Sequence, residues 1–88
     1  MIEIRFPPGL SVQEWEDLGY VLVTLAAGEI ETRIMFMSRE RLVGEIESCL
    51  NENGCWEEAN CVVVEPFVYA TVAEFLERAR SSGFARFW

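Results

Sequence analysis

Histidine and lysine are both missing from this chain of 88 residues, and each absence excludes chemistry. Without histidine the commonest general acid or base near neutral pH is gone, and serine or cysteine nucleophiles lose their usual activating partner. Without lysine all seven cationic side chains are arginine, which leaves no amine except the N-terminus. No run of about 18 apolar residues occurs, the length at which a segment begins to read as a bilayer span, so no membrane partner is expected. The opening MIEIRFPPG carries an acid where a secretory signal would place lysine or arginine, which predicts a cytoplasmic protein. The GxGxxG, P-loop and GxSxG patterns are absent too, so no cofactor is expected.

Cysteine is present but poorly spaced for a metal. Cys49, Cys55 and Cys61 recur every six residues, whereas zinc sites pair cysteines about two to four residues apart and need a fourth ligand, which here cannot be histidine. A disulfide between any two would leave an odd thiol, and a reducing cytoplasm disfavours even that bond. Cys49 falls on an apolar stripe and reads as a small core residue, as does Cys61. No metal site is expected.

Acid is what the chain has in excess. Fifteen Asp and Glu residues oppose the seven arginines, a net charge of −8 that repels free nucleic acid and anionic membrane and attracts basic protein surfaces. The bias is local as well. No basic residue lies between Arg41 and Arg78, while Glu45, Glu47, Glu52, Glu57, Glu58, Glu65, Glu74 and Glu77 all do. Neighbouring carboxylates such as Glu57 and Glu58, or Glu45 with Glu47, point apart on a helix or strand, and a glycosidase pair would come from separate walls of a deep cleft. They read as solvated charge, and the chain as a non-enzyme.

The apolar fraction of 51% with 12% aromatics lies well outside the regime of disorder, so an ordered domain over residues 1–88 is expected. At this length only about 60 to 65% of the unfolded surface is buried, which predicts modest stability. Ile2, Ile4 and Phe6 alternate with Glu3 and Arg5, the period of a strand that Pro7-Pro8-Gly9 stops. Ser11 and Glu14 form a capping-box pattern for a short helix ending near Leu18. Tyr20 to Leu25 and Glu29 to Met37 then read as strands around an Ala26-Ala27-Gly28 turn, with Ile30, Thr32, Ile34 and Phe36 on one face. Ser38 caps a helix whose stripe is Leu42, Ile46, Cys49, Leu50 and Asn53, and Gly54 ends it. Cys61 to Val64 is a fourth strand, bounded by Asn60 and by Pro66. Thr71 and Glu74 suggest a second capping box ahead of the stripe Val72, Phe75, Leu76 and Ala79, and Gly83 stops that helix. The sum is an α+β domain, an antiparallel sheet packed by two main helices. Its first six elements follow the βαββαβ order of ferredoxin-like domains, with an extra C-terminal helix and a strand or tail at 84–88.

Two constellations remain for function. On the helix 39–52 Glu40 and Glu47 share one line and Glu45 and Glu52 another, largely without arginine partners, whereas Glu74 and Glu77 have Arg78 at i+4 and Arg80 at i+3 and are expected to be neutralised. The free set is therefore Glu45, Glu47, Glu52, Glu57 and Glu58 with Trp56 among them, acids to steer an arginine-rich partner and a ring to stack on it. Trp56 reads equally well as a cover over the core edge. At the C-terminus Arg78, Arg80 and Arg86 mix with Phe84, Phe87 and Trp88, but three arginines on so anionic a chain are a weak footprint for nucleic acid. Trp88 is assigned to partner contact; as the expected terminal strand, 84–88 would turn Phe84 and Phe87 inward and leave Trp88 shielding the sheet edge. The function expected is that of an acidic binding protein occupying the basic, nucleic-acid-binding surface of another protein. Size and charge parallel those of small anionic nuclease inhibitors, immunity proteins and phage anti-CRISPR proteins. The alternative is a structural or regulatory subunit that homodimerises through a sheet edge or the aromatic tail.

Overall fold

In the computed structural model, which describes residues 1–58 and 60–88, the sheet grows outward from one hairpin. β2 (Tyr20–Ala27) pairs with β3 (Ile30–Met37) residue for residue, from Tyr20 with Met37 to Ala27 with Ile30. The expected Ala26-Ala27-Gly28 turn is thus corrected to Gly28-Glu29: the small alanines continue the strand, and the reversal needs the positive φ that Gly28 supplies at +64°. Strict alternation then divides the sheet. Val21, Val23, Leu25, Ile34 and Phe36 face one side and are fully buried, while Tyr20, Leu22, Thr24, Arg33 and Met35 face the other.

β1 (Glu3–Arg5) joins β2 antiparallel and β4 (Cys61–Val63) joins β3 parallel, giving the strand order β1-β2-β3-β4. The sheet is therefore mixed, a correction to the antiparallel expectation. Helix length accounts for it. α1 (Val12–Leu18) rises only about 10 Å and cannot return the chain along the sheet, whereas α2 (Arg39–Asn53) rises about 22 Å and carries it back for a parallel strand. The element order matches the ferredoxin-like expectation, but strands that each pair with their chain neighbour do not interleave as that arrangement requires.

Local chemistry sets the helix ends. The Ser11 hydroxyl accepts from the Glu14 N–H at 3.2 Å and the Glu14 carboxylate accepts from the Ser11 N–H at 3.0 Å, completing the capping box. Gly19 closes α1 at φ +80°; its carbonyl accepts from the Ser38 N–H at 2.8 Å, and a Cβ there would stand 3.1 Å from Ser38 Oγ. α3 (Tyr69–Arg80) starts earlier than the Thr71 pattern implied, with Val68 at its cap position. Valine has no acceptor, so other side chains serve. Thr71 accepts from the Val68 N–H at 3.4 Å, and the Glu16 carboxylate of α1 accepts from the Tyr69 N–H at 2.7 Å. A cap of this kind contributes about 1 kcal/mol.

The core lies on the Val21 face. Val72 and Leu76 of α3 are buried there with half-buried Phe75 and Ala79, as the stripe implied, and Trp15 of α1 stands edge-on to Phe67 at 5.6 Å. The tail corrects a second expectation. Residues Ala85–Phe87 form a 3₁₀ turn, not a strand, entered through Phe84 at φ +58°. Side chains three apart eclipse in such a turn, so Phe84 and Phe87 enter the core together, 1% and 3% exposed. Phe75 meets Phe36 at 5.5 Å and Phe87 at 6.1 Å, joining helix, sheet and tail.

α2 departs furthest from its expected role. None of its residues is buried; Leu42, Ile46 and Cys49 of the expected stripe are half-buried, and Leu50 and Asn53 are exposed. It lies across the opposite sheet face, where Arg41 covers the Tyr20 ring at 4.5 Å. Of the large apolar side chains that β2 and β3 place on that face, Tyr20, Leu22, Met35 and Met37, only Met37 is buried, and Glu45 interrupts the stripe of α2. The radius of gyration of 13.6 Å exceeds the roughly 12 Å of a compact chain this long. Among the described residues no helix is long and apolar enough to cross a membrane.

Phe87→Ala should cost about 3 kcal/mol, as truncation of a buried aromatic does, while Trp88→Ala should stay within about 0.5 kcal/mol. Equal shifts of the denaturant midpoint would contradict the burial described. Backbone and side-chain hydrogen bonds from Ser11 hold the Glu14 carboxyl below the usual carboxylate range. Its folded pKa being depressed, Glu14 contributes stability above its unfolded pKa and loses it as pH falls through the folded value. The stability difference between wild type and Glu14→Ala should therefore narrow on acidification; a difference that stays constant with pH would contradict the capping box.

Candidate protein-binding surface

α2 presents a long exposed surface because it lends nothing to the core. Ser38 fixes its start by accepting from the Arg41 N–H at 3.1 Å, and Gly54 ends it in a left-handed conformation at φ +75°. Between these caps Glu40, Glu47 and Glu52 are exposed and Glu45 is half-buried; Glu57 and Glu58 are exposed beyond the helix, and Trp56 is half-buried. Among the described residues the ion pairs are Arg5 with Glu3 and Glu31, Arg39 with Glu65, and Arg80 with Glu77. None involves an acid between 45 and 58. The expected neutralisation of Glu77 is present at 3.7 Å, but Arg78 does not reach Glu74 within bridging distance. An exposed pair on a helix is worth only about 0.3 to 0.5 kcal/mol, too little to hold two long side chains together.

The structure gathers part of the expected set. Burial first, then the charges of Glu45 and Glu52 and a 3.8 Å contact with Glu45, raise the Cys49 thiol above its ordinary range. Burial and then the charges of Glu58 and Glu45 do the same to Cys61. Glu45 thus acts on both thiols, with Glu52 acting on Cys49 and Glu58 on Cys61. Both cysteines are half-buried at the flank of the sheet, not core residues as expected, because α2 itself stays outside the core. Glu47, two positions from Glu45, projects from another side of the helix.

Trp88 is 47% exposed. The preceding Phe87 carbonyl accepts from Thr32 Oγ1 at 2.9 Å and from Asn60 Nδ2 at 3.4 Å, which sets Trp88 beside the start of β3 and two residues of chain from the Glu58 segment's end at Asn60. Asn60, expected only as the boundary of the fourth strand, does more. At φ +57° it donates to the Arg33 carbonyl at 3.2 Å, and its own carbonyl accepts from the Met35 N–H at 2.9 Å, so it pins β4, β3 and the tail. The available signal was an asparagine directly before a β-branched run, a residue that tolerates the left-handed region. The hairpin tip was missed, with Ile30 66% exposed between Glu29 and Glu31.

At the opposite end a cleft of about 740 Å³ opens between α1, the start of α2 and the end of β4. Glu16, Asp17, Glu40 and Glu65 outnumber Arg39 and Arg41 on its walls, and Arg39 is held by Glu65 at 2.6 Å. The wall is mixed in sign. No cluster of three or more cysteine or acidic residues with metal-binding geometry occurs among the described residues.

Because thiolates are the reacting species, Cys49 and Cys61 should alkylate with neutral iodoacetamide more slowly than exposed Cys55, and Glu45→Gln should accelerate both. Peptide mapping of alkylated sites at intermediate times measures this; three equal rates would refute the convergence of acids on the two thiols. No family model, no curated protein and no solved structure matches this chain.

Proposed function

We propose that this protein is a non-enzymatic acidic binder that occupies a basic, nucleic-acid-binding surface of a protein partner in the cytoplasm and thereby inhibits it. The observation that carries the reading is α2: fifteen residues with none buried, bearing carboxylates that have no ion-pair partner among the described residues. A helix so little used by the core is free to serve a surface. Its carboxylates stand in for phosphates, and a net charge of −8 steers the encounter and selects the partner. Glu45, Glu47, Glu52, Glu57 and Glu58 supply the field, while Trp56 and Trp88 supply apolar contact at its margins. Seven arginines against fifteen acids are too few to hold nucleic acid directly.

The partner is recovered by copurification from native cells, and its association with wild type is followed by stopped flow against ionic strength. Replacing Glu45, Glu47, Glu52, Glu57 and Glu58 together by Gln should slow association at low salt by about tenfold or more, with a flatter salt dependence. Each Glu→Gln alone should be mild, since an exposed pair contributes only about 0.2 to 1 kcal/mol. Glu3→Gln with Glu31→Gln is the control, because both carboxylates are ion-paired to Arg5 and lie outside the 45–58 stretch. Identical salt slopes for wild type and the five-site variant would reduce the surface to a solvated face.

A further inference from the structure

The sheet has two outer edges that differ in what they offer. Along β1, Arg5 is held by Glu3 at 3.1 Å and Glu31 at 3.0 Å, charge that guards the strand. The edge of β4 is open. Its ladder to β3 begins with the Met35 N–H on the Asn60 carbonyl and closes with the Val64 N–H on the Met37 carbonyl. Alternate residues of a strand direct their backbone groups to opposite sides. The amides and carbonyls of Cys61 and Val63 therefore point away from β3, and among the described residues β4 has no other neighbour in the sheet.

The surroundings suit an extended chain. Val63 is 40% exposed, and a groove of about 310 Å³ runs along Val62, Val63 and Val64 beside Glu74, Phe75 and Arg78 of α3. Glu74 lines this groove on the α3 side together with Arg78, and on the α2 side the charges of Glu58 and Glu45 act on Cys61 of the edge strand. A second copy of this chain is a poor occupant, since each copy carries −8 and would bring acids against acids. A cationic strand fits instead, because its alternating side chains meet carboxylates on both faces while its backbone satisfies the open edge.

We propose that the outer edge of β4 receives an extended, arginine- or lysine-bearing segment of a protein partner as a fifth strand, hydrogen-bonded to Cys61 and Val63 and flanked by Glu58 and Glu74. This rests on the acidic-binder reading and adds the backbone geometry of the contact.

The probe is a blocked peptide rich in arginine and valine, titrated at low salt, together with the same peptide N-methylated at every amide, which keeps its charge and loses its backbone donors. Binding should slow hydrogen exchange at the Cys61 and Val63 amides, and N-methylation should weaken affinity by about tenfold or more. Val63→Pro removes one outward donor from an edge position where proline is tolerated, and should weaken the parent peptide similarly while leaving the melting temperature nearly unchanged. If that variant does not fold, the comparison of the two peptides on wild type decides. Equal affinities for the two peptides would overturn the edge and leave the acidic surface standing, since charge alone then holds both. No binding at low salt also overturns the edge, with the salt slopes of the native partner judging the surface separately. A wild-type dimer that Val63→Pro converts to monomer would give the edge to a second copy and overturn the proposal.

Discussion

The register of β2 against β3 is the constraint on which the rest of this structure depends. Pairing Val21 with Phe36 and Val23 with Ile34 brings the fully buried residues Val21, Val23, Leu25, Ile34 and Phe36 to one side. A slip of one residue would turn that set to the other face and leave Thr24, Arg33 and Met35 toward the core. Once the register is set, α1, α3 and the C-terminal turn have only one apolar surface to cover, and Trp15, Val72, Leu76, Phe84 and Phe87 meet on it.

That concentration of the core on one face explains the rest of the molecule. α2 is as long as the crossover between parallel strands demands, yet the fully buried cluster lies on the other face, and of the apolar side chains beneath α2 Met37 is buried while Tyr20 and Met35 stay half-buried. It is held by its caps, by Arg41 over Tyr20 and by a narrow stripe of half-buried residues. Its carboxylates therefore pair with nothing beneath them, and their fields extend into solvent and across Cys49 and Cys61. Acidity and loose packing have a common origin in the one-sided sheet.

Acids elsewhere do structural work that net charge conceals. Glu16 caps α3 from another helix because Val68 has no side-chain acceptor, and Glu14 closes the capping box of α1. Glu3, Glu31, Glu65 and Glu77 each hold an arginine. These six carboxylates thus differ from those at 45, 47, 52, 57 and 58, which have no ion pair among the described residues.

Local physics made much of this legible from the chain alone. Alternation located β1, β2 and β3; serine at two N-caps and glycine at positions 19 and 54 bounded α1 and α2; the stripe Val72, Phe75, Leu76, Ala79 named the buried side of α3. The three-residue interval between Phe84 and Phe87 was a helical period, and reading it as a strand mistook the tail. Charge placed the unpaired acids between 45 and 58. Tertiary structure alone decided that β4 pairs parallel, that α2 faces the poor side of the sheet, that Glu16 caps a helix 53 residues away, and that Asn60 ties strand to tail. The reason is the range of the forces involved: propensity, capping and alternation act over a few residues, whereas strand partners and the helix that claims the apolar face are settled by competition among segments distant in sequence.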